Sequence, residues 1–271
     1  MVGKKHLLLR ALEITAAVIV ILIAWQIASL CFGSERVPSI SHTLSMTISS
    51  FGKDPIIEAQ GGGSGGYSPH VLATLANFMI GFVSGSVGGI IFAFGLFHSP
   101  KLLKQIDPLI EFFRVLPPLL VIPFAVIFFR STDALPSITV GIYTMFTVAI
   151  YTLAALRNLP ANYSILARFV GATKVRRIID IQIPAIVPAL FGAMRLAIVL
   201  GLGISVVAEY LVAPAGIGRV MKFAMSFSRI DLLFVGVVWV ILIAVILELL
   251  VSILVGFMLK WTNRETLIGI D

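Results

Sequence analysis

Five ionisable side chains stand inside stretches that are otherwise apolar: Glu111, Arg114, Arg195, Glu209 and Glu248. An ionised group surrounded by hydrocarbon is costly, so each must be paired, face water or serve a ligand. Glu111 and Arg114 are three residues apart, a spacing at which two side chains meet on one helix face. Arg195 lies eleven residues after Pro184, and Glu248 twelve before Lys260. At about 1.5 Å per residue both fall about 16–18 Å from the same end of their helices. Equal depth on antiparallel helices makes a salt bridge the first reading and a direct substrate contact the second. Glu209 precedes Ala213-Pro214-Ala215-Gly216, where a helix must break.

Other chemistry is missing from the chain. Nucleotide hydrolysis needs a glycine-rich turn ending in Gly-Lys-Ser or Gly-Lys-Thr, whose amides and lysine hold phosphates. Neither the glycine run at 61–66 nor Gly201-Leu202-Gly203 is followed by such a lysine. There is no HExxH and no CxxC pair, and the four histidines, His6, His42, His70 and His98, are scattered, so no metal site is expected. One cysteine, Cys31, excludes an internal disulfide and reads as a packed thiol. Nothing here catalyses a reaction alone.

The elements that position these residues are apolar helices. Hydrophobic residues make up 59% of the 271 residues and charged ones 12%, where a soluble domain is about a quarter charged. Six stretches are long enough to cross a bilayer: 12–32, 71–97, 110–129, 135–156, 184–212 and 232–259. They must be helices, because a segment in lipid satisfies its own backbone hydrogen bonds, and the alternating pattern of a barrel strand is missing. The chain thus reads as one all-α domain over 1–271, a polytopic membrane protein with six transmembrane helices. Twelve of its twenty Lys and Arg residues fall in one alternating set of connecting segments and six in the other. That bias places both termini in the cytoplasm. It also assigns the net charge of +7 to membrane topology rather than to nucleic acid. The first stretch follows Lys4, Lys5 and Arg10 as a signal peptide would, but it is too long and lacks a cleavage site, so it reads as a retained helix.

Three further patterns carry information. Gly81, Gly85 and Gly89 form a strip at four-residue spacing. Such a strip admits a second helix backbone, whether within the subunit, along a pathway or across a dimer. The outer loop, 33–70, holds Gly61-Gly62-Gly63-Ser64-Gly65-Gly66, which reads as a flexible tether. The inner loop, 158–183, is the most specific. Pro160 and the polar residues after it suit a helix start, and Gly171 a stop in the left-handed conformation. Thr173 suits the cap of a second short helix, exposing Lys174, Arg176 and Arg177, and Pro184 the opening of the fifth span. Two short basic helices hinged at a glycine suit anionic lipid, or a groove on a cytoplasmic partner.

This loop resembles the coupling loop of bacterial ABC importer permeases, whose signature is Glu-Ala-Ala, three residues, Gly, nine residues, Ile, any residue, Leu, Pro. Ala167, Gly171, Ile181, Ile183 and Pro184 fall at the matching offsets; Ile165 and Leu166 replace the glutamate and the first alanine. The apolar character of Ile165 suggests packing against the membrane helices. Further segments are similar to the nitrate/taurine/sulfonate-type branch. They are Val37-Pro38-Ser39-Ile40-Ser41, Asp107-Pro108-Leu109, Phe113-Arg114-Val115-Leu116-Pro117-Pro118, Met194-Arg195-Leu196-Ala197, Val207-Ala208-Glu209-Tyr210-Leu211 and Gly216-Ile217-Gly218.

The resemblance implies a permease subunit that is not itself an enzyme and binds no cofactor, ATP being bound by partner ATPase subunits. Those would dock at Ile165, Leu166, Ala167, Gly171, Ala172, Thr173 and Pro184. It further implies a homodimer in the bacterial inner membrane, fed by an extracytoplasmic substrate-binding protein and carrying a small anionic solute. Outer-face Arg219, Lys222 and Arg229 would suit an anion or an acidic docking surface. The alternative, a secondary transporter or channel, would show repeated halves with interrupted helices or lack the hinged loop.

Overall fold

The computed structural model describes residues 2–59, 63–115, 117–129, 133–160, 163, 165, 169 and 171–258. Among these residues the regular elements are all helices. The bundle has two ends, called here the elbow end, where Gly171 lies, and the cap end, where Gly216 lies.

Helix α1 (Val2–Phe32) leaves almost all its described side chains uncovered. Trp25 anchors it: its indole N–H donates to Pro38 O at 3.0 Å, and its ring lies 5.6 Å from that of Phe234. The stretch 33–70 then holds two short helices. Helix α2 (Ile40–Ser49) starts at Ser39, whose hydroxyl accepts the His42 N–H, and α3 (Pro55–Ala59) at Asp54, which accepts the amides of Ile56 and Ile57. The end of the glycine run is a packed turn rather than a tether. Gly66 takes φ +61°, and the following amides of Tyr67 and Ser68 bond to Ser50 O and Phe51 O, both at 2.9 Å. A Cβ on Gly66 would lie 1.8 Å from Gly52 O. Residues 60–62 lie outside the described residues.

Helix α4 (Ser68–Phe97) and α7 (Leu135–Arg157) form the tightest pair. The glycine strip explains it. A Cβ at Gly81, Gly85 or Gly89 would lie 2.4, 2.5 or 2.5 Å from the carbonyl oxygens of Ser137, Gly141 and Met145. The two backbones therefore meet at three successive turns, and the strip is used within this chain. In lipid such close van der Waals contact, rather than expulsion of water, holds helices together.

The third expected span, 110–129, is not one helix. Helix α5 (Pro100–Val115) begins ten residues earlier than Ile110, a 3₁₀ turn follows at Pro118–Leu120, and α6 (Val121–Phe129) is only nine residues long. Pro117 and Pro118 remove two consecutive backbone donors, and a proline disfavours the helical region for the residue before it, which works against one continuous helix here. Among the described residues five helices are long and apolar enough to cross a membrane.

Helix α8 (Lys174–Val212) is the longest at 39 residues. It corrects the expected separation of a short loop helix from the fifth span. The chain runs through Pro184 without a break, because residues Arg177–Gln182 widen into a π-helix. Pro184 cannot donate to the carbonyl four residues back; the wider turn lets the Ile183 N–H reach Ile178 O instead. Helix α9 (Ile217–Ser226) and α10 (Ile230–Met258) complete the fold. Phe78, Ile198, Leu202, Ile217, Val220, Leu232 and Val235 are buried together and join α4, α8, α9 and α10.

Candidate functional site

The residues with chemical potential occupy three levels. At the cap end α8 stops at Val212, Ala213 is extended, and Gly216 at φ +123° turns the chain into α9. Glu209, 1% exposed, points into that turn. Its carboxylate accepts from Thr74 Oγ1 at 2.7 Å, Asn77 Nδ2 at 3.3 Å, Ser205 Oγ at 3.4 Å and the Gly218 amide at 3.3 Å. Thr74 in turn accepts the Ile217 N–H at 2.9 Å, and His70 Nδ1 accepts the Gly216 N–H at 3.1 Å. Three amides at the start of α9, which a helix cannot satisfy itself, are thus all bonded. A carboxylate at that terminus is favoured by the helix dipole.

Both glycines are required by contact. A Cβ on Gly216 would lie 2.3 Å from Glu209 Cδ, and one on Gly218 would lie 2.0 Å from Val206 O. The arrangement is a latch holding α9 to α4 and α8. Sequence reasoning singled out Glu209 but missed Thr74 and Asn77. Their signal was available: His70, Thr74 and Asn77 are four and three residues apart, polar positions on one face of an apolar helix.

Midway along α8 and α10, Arg195 Nε lies 3.0 Å from Glu248 Oε1. Arg195 Nη2 donates to Ser252 Oγ at 3.0 Å, and Ser252 Oγ donates to Glu248 Oε1 at 3.4 Å. The Arg195 and Glu248 side chains remain 48% and 41% exposed in the single chain. Two charges facing hydrocarbon would cost about 2.5–3.5 kcal/mol each on insertion scales, so this face suits protein or water rather than lipid. Glu111 and Arg114 lie on α5; the Arg114 side chain is outside the described residues.

At the elbow end Gly171 has φ +65°, with no atom of the described residues within 4 Å of an added Cβ, so backbone conformation calls for glycine. Ala172 is half-buried, and Thr173 caps the start of α8 by accepting the Arg176 N–H at 3.3 Å. Ile165 is 51% exposed, and so does not pack into the membrane helices; Phe169, Val175 and Ile179 are also exposed. Leu166 and Ala167 lie outside the described residues. Pro184 is exposed within the first turn after the π stretch.

The three basic residues near the cap have structural partners. Arg229 grips Asp231 with Nε at 2.9 Å and Nη2 at 2.5 Å, a contact that raises the guanidinium pKa further. Arg219 donates to Pro214 O, just past α8, and Lys222 to Leu211 O at 3.2 Å in its last turn.

Long apolar helices, a latched turn into α9, a half-exposed ion pair midway along α8 and α10 and a glycine elbow fit a multi-pass membrane protein. Residues 85–266, about two thirds of the chain, match the family described as binding-protein-dependent transport system inner membrane component, and the chain belongs to that family, the permease subunits of ABC importers. It is 29% identical over 199 residues to the nitrate import permease protein NrtB of Synechococcus elongatus, covering 73% of this chain and 71% of that one. It is 26% identical over 180 residues to the taurine transport system permease protein TauC of Escherichia coli, covering 66% of each. Its fold is similar to a solved inward-facing conformation of the MetNI methionine ABC transporter, with TM-score 0.62 and 16% identity, over 76% of this chain and 99% of that one.

Proposed function

We propose that two copies of this chain form an alternating-access pathway for a small anionic solute, delivered by an external binding protein and driven by ATPase subunits docked at the loop 158–183. ATP is bound and hydrolysed by those partners, and the chain itself needs no cofactor. The broken α5–α6 segment supplies the sixth crossing, so both termini lie in the cytoplasm with the elbow end, and the chain acts as a single domain. The observation that carries this reading is the exposure of four apolar side chains that flank Gly171 in the chain: Ile165, Phe169, Val175 and Ile179, at 51%, 85%, 63% and 56%. Exposed apolar side chains, with the exposed Lys174 and Arg176 close by in the chain, suit a groove on a partner. An anionic solute is supported by the guanidinium of Arg195, whose carboxylate partner occupies only part of its five-donor fork, and by the small oxyanion-bearing solutes named for two relatives.

Gly171→Val tests the docking. A β-branched residue at φ +65° costs about 1–3 kcal/mol in the left-handed region. The variant should reach the membrane and dimerise, yet lose ATPase binding in co-purification. Normal transport with its ATPase would remove this loop from the coupling role.

A further inference from the structure

Where the elbow meets the bundle, a cavity of about 260 Å³ opens between the ends of α4 and α7 and the π stretch of α8. Phe97, His98, Arg157, Tyr163, Arg177 and Gln182 are among its lining residues. Two of them carry unmet polar atoms. Gln182 is 7% exposed and its Oε1 has no hydrogen-bond partner; the buried Nε of Arg177 has none either. Such groups are costly to leave unpaired, and these two have opposite needs, one for a donor and one for an acceptor. The neighbouring groups have described partners of their own. Arg157 Nη2 binds Asp107 at 2.7 Å, and His98 Nδ1 is 2.9 Å from Phe94 O. Among the described residues that line the cavity there is no carboxylate, whereas there are two guanidiniums.

We propose that this cavity is a phosphate site, taking a phosphate that carries a hydroxyl nearby. The guanidiniums of Arg177 and Arg157 match phosphate oxygens in geometry and charge, while Gln182 Oε1 accepts from the hydroxyl. The space is several times the volume of one water, roughly 30 Å³. Two sources share this chemistry: the headgroup of phosphatidylglycerol, at the depth where helix ends meet the lipid surface, and free inorganic phosphate. Either would tie the end of α7 to the π stretch and stiffen the elbow. The assignment does not depend on the transport reading.

The test is native mass spectrometry and thermal melting of the full chain, purified in a neutral detergent and titrated with dioctanoyl phosphatidylglycerol, dioctanoyl phosphatidylcholine or inorganic phosphate. A lipid site binds phosphatidylglycerol about tenfold or more tighter than phosphatidylcholine and ignores inorganic phosphate; a free-anion site is stabilised by inorganic phosphate alone. In both cases Arg177→Met and Gln182→Leu should weaken binding by about tenfold. Arg177→Lys, which keeps the charge and loses Nε, should fall between them and the native chain, and it serves if either other variant folds poorly. If neither phosphatidylglycerol nor inorganic phosphate binds better than phosphatidylcholine, or if Arg177→Lys and Gln182→Leu bind as the native chain does, the cavity holds only water and the proposal is wrong.

Discussion

Gly85 and Gly88 lie one turn apart on α4, and a methyl group added to each should have opposite effects. At Gly85 the new Cβ would lie 2.5 Å from Gly141 O and 2.8 Å from Thr144 Cβ, both on α7. Ordinary contact begins near 3.4 Å, so the helices must part by close to an ångström. A gap of about 0.5–1 Å already forfeits a quarter to a half of a contact's dispersion energy, and the loss spreads to the neighbouring contacts at Gly81 and Gly89. Overpacking of this kind costs about 1–3 kcal/mol, offset by about 0.5–1 kcal/mol from replacing a helical glycine with alanine. The net expectation for Gly85→Ala is a loss of about 1–2 kcal/mol. At Gly88 the nearest atoms are the flexible Met145 Cγ and Sδ, both at 3.6 Å. Gly88→Ala therefore keeps only the helix gain and should be neutral or stabilising by about 0.5 kcal/mol. Unfolding of both variants and the native chain in one detergent, followed by circular dichroism, compares them directly. Equal effects, or a Gly85→Ala that melts above the native chain, would refute backbone contact between α4 and α7.

Three other outcomes are expected. Reversing the charge of Arg195 or Glu248 alone should lower the yield of folded protein, and reversing both should recover part of it; no recovery in a fluorescence-detected chromatography assay counts against their bond. Thr74→Val keeps the shape but leaves Glu209 Oε2 and the Ile217 N–H each one partner short, at about 1–3 kcal/mol per group; hydrogen exchange in α9 should rise more than in α7, and uniform exchange would contradict the latch. Cysteines placed singly at Ser64 and Thr173 in a Cys31→Ala background should react from opposite faces of intact vesicles, and labelling from one face would overturn the topology.

Much of this was legible in the sequence because membranes impose simple rules. Apolar length located α1, α4, α7, α8 and α10, and equal depth brought Arg195 and Glu248 together. The failures came where prolines and short polar contacts decide. Hydropathy reads 110–129 as one stretch, since it weighs side chains and ignores the amides that Pro117 and Pro118 lack. At Pro184 the same rule errs in the other direction. A proline there suggests a boundary, yet a π turn absorbs it, and no pattern of residue types announces that turn. Thr74 and Asn77 show in the sequence as polar positions on one face of an apolar helix, but not what they hold, because Gly216 and Gly218 are distant in the chain and close only after folding.

The length of α8 has a mechanical consequence. Its 39 residues span about 58 Å of continuous helical winding, through the π stretch and Pro188, from the hinge at Gly171 to the turn that holds Glu209. A helix of that length that moves as one body cannot move at one end alone. Each degree of tilt at the elbow swings the far end by about 1 Å, so a rotation of a few degrees exceeds the reach of a hydrogen bond to Glu209. The same continuity that gives the π stretch its odd winding therefore makes the helix a lever, with its short arm beside Thr173 and its long arm under α9.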